Sequence, residues 1–325
     1  MTQAHNLGAT TGSAMSEPDL LAALARHVGG TDDAHAERVD TIALTGGYST
    51  RPIDRLDLGV ATATRSIRAA FVRKRCLAAE VRALERCAAV PGATAAPEPI
   101  ITWWSAEQPY AIEANGFVCP FYPGGPLTAD DDIPDAVLTT LANVHAHTGR
   151  AAPPDWTWTF DSAHFELRHA YALAALRTSG RFKAITPDHV DWLRRLERIG
   201  REPLLRQMSD VLPRSLAHGD LHPRNIVLRA DGSPVIIDWG NACIAPPMLD
   251  LANIAALGSS AWQRYLVAYR EADGPIDAAT CERAYWWGHA AASLLELPWA
   301  AAHRFDAPRL IARIEAAHDH LARCC

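Results

Sequence analysis

The chain has almost no lysine. Of its 31 Lys plus Arg residues only Lys74 and Lys183 are lysine. The two cations are not interchangeable, because arginine presents a flat fork and lysine a compact ammonium. Lys74 is therefore a candidate for a place that needs an ammonium, and Lys183 reads as a chance survivor. Long apolar runs are missing too. None approaches the roughly 18 residues of a membrane helix, so no spanning helix is expected. The opening MTQAHNLGATTGSAM lacks an apolar centre and a basic start, so it reads as a flexible tail rather than a signal peptide. Met15 is an alternative start. The seven cysteines (Cys76, Cys87, Cys119, Cys243, Cys281, Cys324 and Cys325) are odd in number and include no CxxC pair. That argues against a disulfide framework or a cysteine zinc site and for reduced thiols in a cytoplasmic protein. A basic stripe is absent and the net charge is -6, which argues against nucleic-acid binding as the main role and is compatible with a cationic ligand.

What is present is an ordinary globular composition, 49% apolar and 21% charged over 325 residues, long enough for one large domain or two lobes. Residues 17–28 have helical spacing. Residues 39–45, 53–60 and 69–75 read as strands, 77–90 as a helix, and PIITWWS and FVCP as further strands. From Ile133 onward the pattern is mostly helical, with helices expected at 138–149, 164–180, 188–209, 260–273, 278–296 and 307–323. A Pro-Gly connector near 120–126 separates the two characters. The order predicts an α+β fold: a small antiparallel-sheet lobe over residues 17–119, a hinge at 120–126 and a larger, mainly helical lobe over 127–325.

One stretch departs from the helical pattern. Residues 216–241 read LAHGDLHPRNIVLRADGSPVIIDWGN. Asp220 follows an apolar lead-in, Asn225 comes five residues later, and Asp238 closes a second short apolar run. A carboxylate, an amide oxygen and a second carboxylate gathered by a hairpin are hard oxygen donors of the kind Mg²⁺ prefers. Asp220 and Asn225 taken singly could be turn formers; the three together at this spacing favour a site.

HGDLHPRNIVL followed by VIIDWGNA resembles the catalytic and metal-binding segments of the aminoglycoside phosphotransferase and choline kinase family, small-molecule relatives of the protein kinases. The resemblance implies a protein-kinase-like two-lobed fold. It makes Asp220 the catalytic base or hydroxyl-orienting carboxylate, and Asn225 and Asp238 the Mg²⁺ ligands. His218 braces the loop, and Asp250 in PPMLDLA matches the family's structural aspartate. His145, in LANVHAHTG, is read as a bracing histidine, and His222 as a packed loop residue. The family also keeps a strand lysine oriented by a helix glutamate. Lys74 and Glu80 fill those places, with Arg73 and Glu85 as competitors. Gly46, Gly47, Ser49 and Thr50 lie where the family has its nucleotide-flap loop. VCPFYPGG resembles its interlobe hinge, so the Pro120 carbonyl and the Tyr122 N–H are expected to face the purine of ATP or GTP.

The implied activity is an ATP- and Mg²⁺-dependent O-phosphotransferase acting on a small cationic molecule, an antibiotic of the aminoglycoside or viomycin/capreomycin type, as a monomer or homodimer. A metabolic kinase for choline, a sugar or homoserine is the alternative, and a nucleotide-binding protein without turnover is the reading from another class. Asp130, Asp131, Asp132, Asp155, Asp161, Glu166 and Glu296 are candidate acids for a cation. Trp156, Trp158, Trp286, Trp287 and Trp299 could wall a pocket or fill the core.

Overall fold

In a computed structural model the protein is described over residues 10–11, 16–44, 53–151, 154–274, 277–303 and 306–324. Its strands are β1 (Thr10–Thr11), β2 (His35–Ala43), β3 (Ile53–Ala61), β4 (Ser66–Arg75), β5 (Ile101–Trp104), β6 (Gly116–Pro120), β7 (Ser215–Ala217), β8 (Ile226–Leu228), β9 (Pro234–Ile236) and β10 (Cys243–Ala245). Its helices are α1 (Glu17–Gly29), α2 (Ala78–Ala88), α3 (Asp135–Gly149), α4 (Ser162–Thr178), α5 (Gly180–Ile185), α6 (His189–Arg201), α7 (Leu204–Val211), α8 (Met248–Leu251), α9 (Ser260–Glu271), α10 (Ala278–Ala302) and α11 (Ala307–Cys324). The chain divides into two compact units, one of Met1–Leu127 with Ile226–Gly240, the other of Thr128–Asn225 with Asn241–Cys325.

The first unit is a sheet in the order β1-β5-β6-β4-β3-β2, antiparallel except for β1 against β5. In β3 the alternation IDRLDLGV puts Leu56, Leu58 and Val60 on one face, all buried. They pack with Phe71 of β4 and with Leu20 and Leu24 of α1, burying one face as a period of two requires. Helix α1 is capped by the Ser16 side chain, which accepts from Asp19 N, and ends at Gly30 in the left-handed region. Strands β8 and β9 form a hairpin whose backbone is tied into this unit. Ile236 N donates to the Ala95 carbonyl, and Gly124 N and Leu127 N donate to the carbonyls of Leu228 and Ile226.

The second unit is mainly helical, with β7 and β10 paired antiparallel, Cys243 opposite Ala217. Helix α10 packs most heavily on α11, α4 and α8; Gly288 lets its backbone close on the Met248 carbonyl, where a Cβ would lie 2.6 Å away. Several boundaries differ from the sequence expectation, and two have a plain local cause. The single helix expected over 188–209 is broken at Pro203, which caps α7. The segment expected as helix to Gly180 ends at Thr178, because Ser179 turns the chain and caps α5 with its hydroxyl. No helix among the described residues is long and apolar enough to cross a membrane.

Candidate active site

In the first unit the site is organised by Lys74. Side chains alternate along β4, so Phe71 and Arg73 share the α1 face, and Arg73 binds Asp54 at 2.9 Å and Glu17 of α1 at 2.5 Å. Lys74 points the other way. Its Nζ donates to Glu80 Oε1 at 2.6 Å and to Asp238 Oδ1 at 2.5 Å. Lys74 and Glu80 are 5% and 1% exposed. Burial opposes the lysine charge, yet Glu80 and Asp238 outweigh it and hold its pKa above the ordinary value. Glu80 lies in the first turn of α2, where unpaired backbone N–H groups favour an acid. Glu85 is engaged elsewhere, accepting from the Thr102 hydroxyl at 2.6 Å.

Asp238 follows β9 with φ 64, a left-handed conformation that aspartate tolerates better than most residues at a cost of about 1–2 kcal/mol. Its side chain is 44% exposed, so the carboxylate is held by Lys74 and remains open to solvent. Pro120 ends β6 opposite Phe71. A proline is tolerated at this end of a central strand because pairing with β5 has already stopped at Val118. Phe121 N closes on the Ala70 carbonyl, and Tyr122 follows. Cys119, opposite Val72 on the Lys74 face, is a buried thiol pushed up to about 12 by desolvation. Gly46, Gly47, Ser49 and Thr50 lie outside the described residues.

In the second unit the segment that carries Asp220 leaves β7 through buried His218 and through Gly219, which has φ 79. A Cβ at Gly219 would meet the Asn241 carbonyl oxygen at 2.3 Å, so only glycine fits. Asp250, buried in α8, accepts the backbone N–H of His218 at 2.7 Å and of Gly219 at 3.0 Å. A third bond reaches it from His145 Nε2 at 3.1 Å, and His145 Nδ1 bonds the Tyr265 hydroxyl at 2.8 Å. Burial would raise the Asp250 carboxyl, but these donors outweigh it and hold the pKa below the ordinary carboxylate value. The His218 ring accepts from Asp220 N at 3.3 Å. Asn225 donates its amide N–H to the Asp220 carbonyl at 2.9 Å, and Asn241 donates to Asp220 Oδ2 at 3.3 Å. The Asp220 carboxylate is thus oriented by the Asn241 amide, and its backbone is tied down by the Asn225 amide, on a loop fixed from beneath. Asn241 and Tyr265 had no sequence signal of their own; Asn241 lies three residues past Asp238, within the quoted stretch.

The donor chemistry fits magnesium. Carboxylate and amide oxygens suit an ion that keeps water and substrate phosphate as further ligands. In the second unit the Asn225 nitrogen is committed to Asp220, so its oxygen is the atom it could offer a metal; in the first unit the Asp238 carboxylate is, by itself, a hard donor of the same kind. The chemistry such an ion would supply is neutralisation of charge on the transferred phosphoryl group.

Three of the other candidate acids have structural duties. Asp161 caps α4, Asp131 bonds Thr128, and Glu166 pairs with Arg206. Trp287 is core and donates to Leu205 O and the Ser209 hydroxyl. Trp158, Trp286 and Trp299 stack on His164, His320 and His303.

Residues 60–287, more than half of the chain, match the model of the phosphotransferase enzyme family (APH). The chain belongs to the phosphotransferase enzyme family. Among solved structures, a choline/ethanolamine kinase family protein from Mesorhizobium loti is 16% identical, with 88% of this chain and 92% of that one covered and a TM-score of 0.53. A choline kinase from Cryptosporidium parvum Iowa II is 12% identical, with 88% of each chain covered and a TM-score of 0.51. A macrolide 2'-phosphotransferase from Brachybacterium faecium is 18% identical, with 93% and 96% covered and a TM-score of 0.49. No curated protein matches the chain significantly. This phosphotransferase has the kinase-like mixture of a curled antiparallel sheet and a helical lobe, and it is an enzyme that phosphorylates a hydroxyl group of a small molecule.

Proposed function

We propose that this phosphotransferase moves the γ-phosphoryl group of Mg-ATP to a hydroxyl of a small cationic molecule, an antibiotic of the aminoglycoside or viomycin/capreomycin type. The observation that carries the reading is buried Lys74, held between Glu80 and Asp238 on the strand next to the Pro120–Tyr122 hinge segment. An ammonium so fixed is suited to the α and β phosphates of a nucleotide. Asp220 takes or orients the proton of the acceptor hydroxyl. The hydroxyl oxygen forms the new bond to phosphorus, the bond to the bridging oxygen breaks, and ADP leaves. No covalent enzyme intermediate is needed, since positioning and charge neutralisation supply the rate. The five buried free thiols among the described residues support action in a reducing cytoplasm. Choline is the second acceptor to try, because it too joins a hydroxyl to a cation.

The test is Mg-dependent ADP or GDP release from ATP or GTP with kanamycin A, capreomycin, erythromycin, choline and neutral sugars, run beside Asp220→Asn. Release stimulated by an antibiotic and lost in the variant supports the reading. Stimulation by choline alone replaces it with the metabolic kinase. Tight Mg-nucleotide binding with no stimulated release would leave the non-catalytic reading.

A further inference from the structure

Of the three N–H groups that meet Asp250, one comes from a side chain, the ring of His145. That ring is held in turn from a different helix. Tyr265 of α9 is fully buried, and its hydroxyl lies 2.8 Å from His145 Nδ1. The two rings stand edge to face with centroids 5.8 Å apart, and Tyr265 stacks on Tyr269 on its other side. Among the described residues His145 is the only hydrogen-bond partner of the Tyr265 hydroxyl. Burial holds the phenol pKa well above its ordinary value, so the hydroxyl keeps its proton. A buried O–H with no acceptor is costly, so this one donates to Nδ1. An Nδ1 that accepts carries no hydrogen. The ring hydrogen is then on Nε2, which faces Asp250 Oδ2 at 3.1 Å. An ionised carboxylate can only accept, so this tautomer joins ring and acid. The other tautomer would set a lone pair against the carboxylate. A doubly protonated ring would turn an N–H toward the hydroxyl and strand the phenol proton.

We propose that Tyr265 is a positioning residue for Asp220: its hydroxyl fixes His145 as the neutral ring with hydrogen on Nε2, and through that ring and Asp250 it holds the backbone of His218 and Gly219, from which Asp220 follows. The assignment rests on the reading above that Asp220 works on the acceptor hydroxyl. It does not depend on which acceptor is used. Tyr265 acts through His145, and Asp220 keeps the chemical step. The effect therefore belongs to turnover, with binding of nucleotide and acceptor left as it was.

The alternative role is core filling by the ring alone. Tyr265→Phe separates the two, because phenylalanine keeps the ring and removes only the hydroxyl. Two measurements use the full chain. The first is NMR of the protein labelled at the histidine ring nitrogens, with the His145 signals identified as those lost in His145→Gln. The wild type should show a bare Nδ1 and a protonated Nε2 at His145, and Y265F should lose that fixed pattern. The second is Mg-dependent ADP release from ATP, basal and with kanamycin A, capreomycin and choline. Y265F should lower kcat at least about threefold with the KM for ATP and acceptor unchanged. The same substitution made in H145Q should cause no further loss, since the nitrogen on which the hydroxyl acts is gone; residues that work in series are not additive. A protonated Nδ1 in the wild type overturns the assignment. So does a kcat for Y265F equal to that of the wild type, or an equal loss in the two backgrounds. With Asp220→Asn inactive, any of these leaves the reading of Asp220 intact. Full activity in D220N removes Asp220 from the chemistry, and the assignment falls with that reading.

Discussion

At the scale of the residue, Lys74 allows the sharpest stability test. Lys74→Met leaves Glu80, 1% exposed, as a buried carboxylate without its cation. Breaking a buried pair costs about 3–5 kcal/mol, whereas the more exposed Asp238 loses little. We expect K74M to melt well below the wild type and to lose at least about a hundredfold in kcat. The double variant K74M/E80Q should regain most of the melting temperature and none of the activity. Equal melting of K74M and wild type would show that the pair contributes nothing to folding. The sequence favoured Lys74 and Glu80 and left Arg73 and Glu85 as competitors. Strand parity separates Lys74 from Arg73, since Phe71 and α1 claim the Arg73 face. A hydroxyl from a distant strand separates Glu80 from Glu85, because Thr102 binds Glu85. Both deciding partners are non-local, so neither was legible in the local pattern.

At the scale of the element, the loop that carries Asp220 depends on one short helix. Asp250→Asn offers one oxygen where three N–H donors converge, from His218, Gly219 and the His145 ring. With the amide oxygen at the Oδ2 position, its NH₂ group faces the Gly219 N–H, donor against donor. A buried donor left unsatisfied costs about 1–3 kcal/mol, so D250N should lower kcat by at least tenfold while the ATP KM holds; unchanged kcat would remove Asp250 from this role. Gly219→Ala meets both a positive φ and the Asn241 carbonyl, and should lose activity with a destabilisation of about 1–3 kcal/mol, read by urea unfolding. Spacing singled out Asp220, Asn225 and Asp238 in the sequence, and the resemblance to the family singled out Asp250. Helix ends matched the expected starts at 260 and 278, where the structure shows Ser259 and Asp277 capping α9 and α10. They did not match the expected stop before Pro298, which removes an N–H from α10 although the helix runs on to Ala302 because Leu297, Ala300 and Ala301 are buried.

At the scale of the molecule, the two-lobed order of strands and then helices could be read from periodicity alone. The grouping of residues 226–240 with the first unit could not, since it rests on backbone bonds to Ala95, Gly124 and Leu127 that no side-chain pattern announces. One whole-chain property follows from histidines. Burial lowers the pKa of His289 to about 3, with Arg313 adding to the effect. Burial lowers that of His164 to about 4, with Arg168 adding and Asp161 opposing. Both rings are neutral acceptors, His289 Nδ1 from Arg313 and His164 Nε2 from Arg168. Unfolded, each titrates near 6.5. Between that value and the folded pKa the unfolded chain binds more protons, so their contribution is complete above pH 6.5 and is lost as pH falls toward 4 and 3. The limiting slope is about 1.4 kcal/mol per pH unit for each ring, reduced here because both are only half-buried. Thermal melts at pH 7.5, 6.5, 5.5 and 5.0 should show a steady fall in midpoint. His164→Gln with His289→Gln should flatten that fall. A midpoint at pH 5.0 equal to that at 7.5 would mean that these rings accept protons in the folded chain.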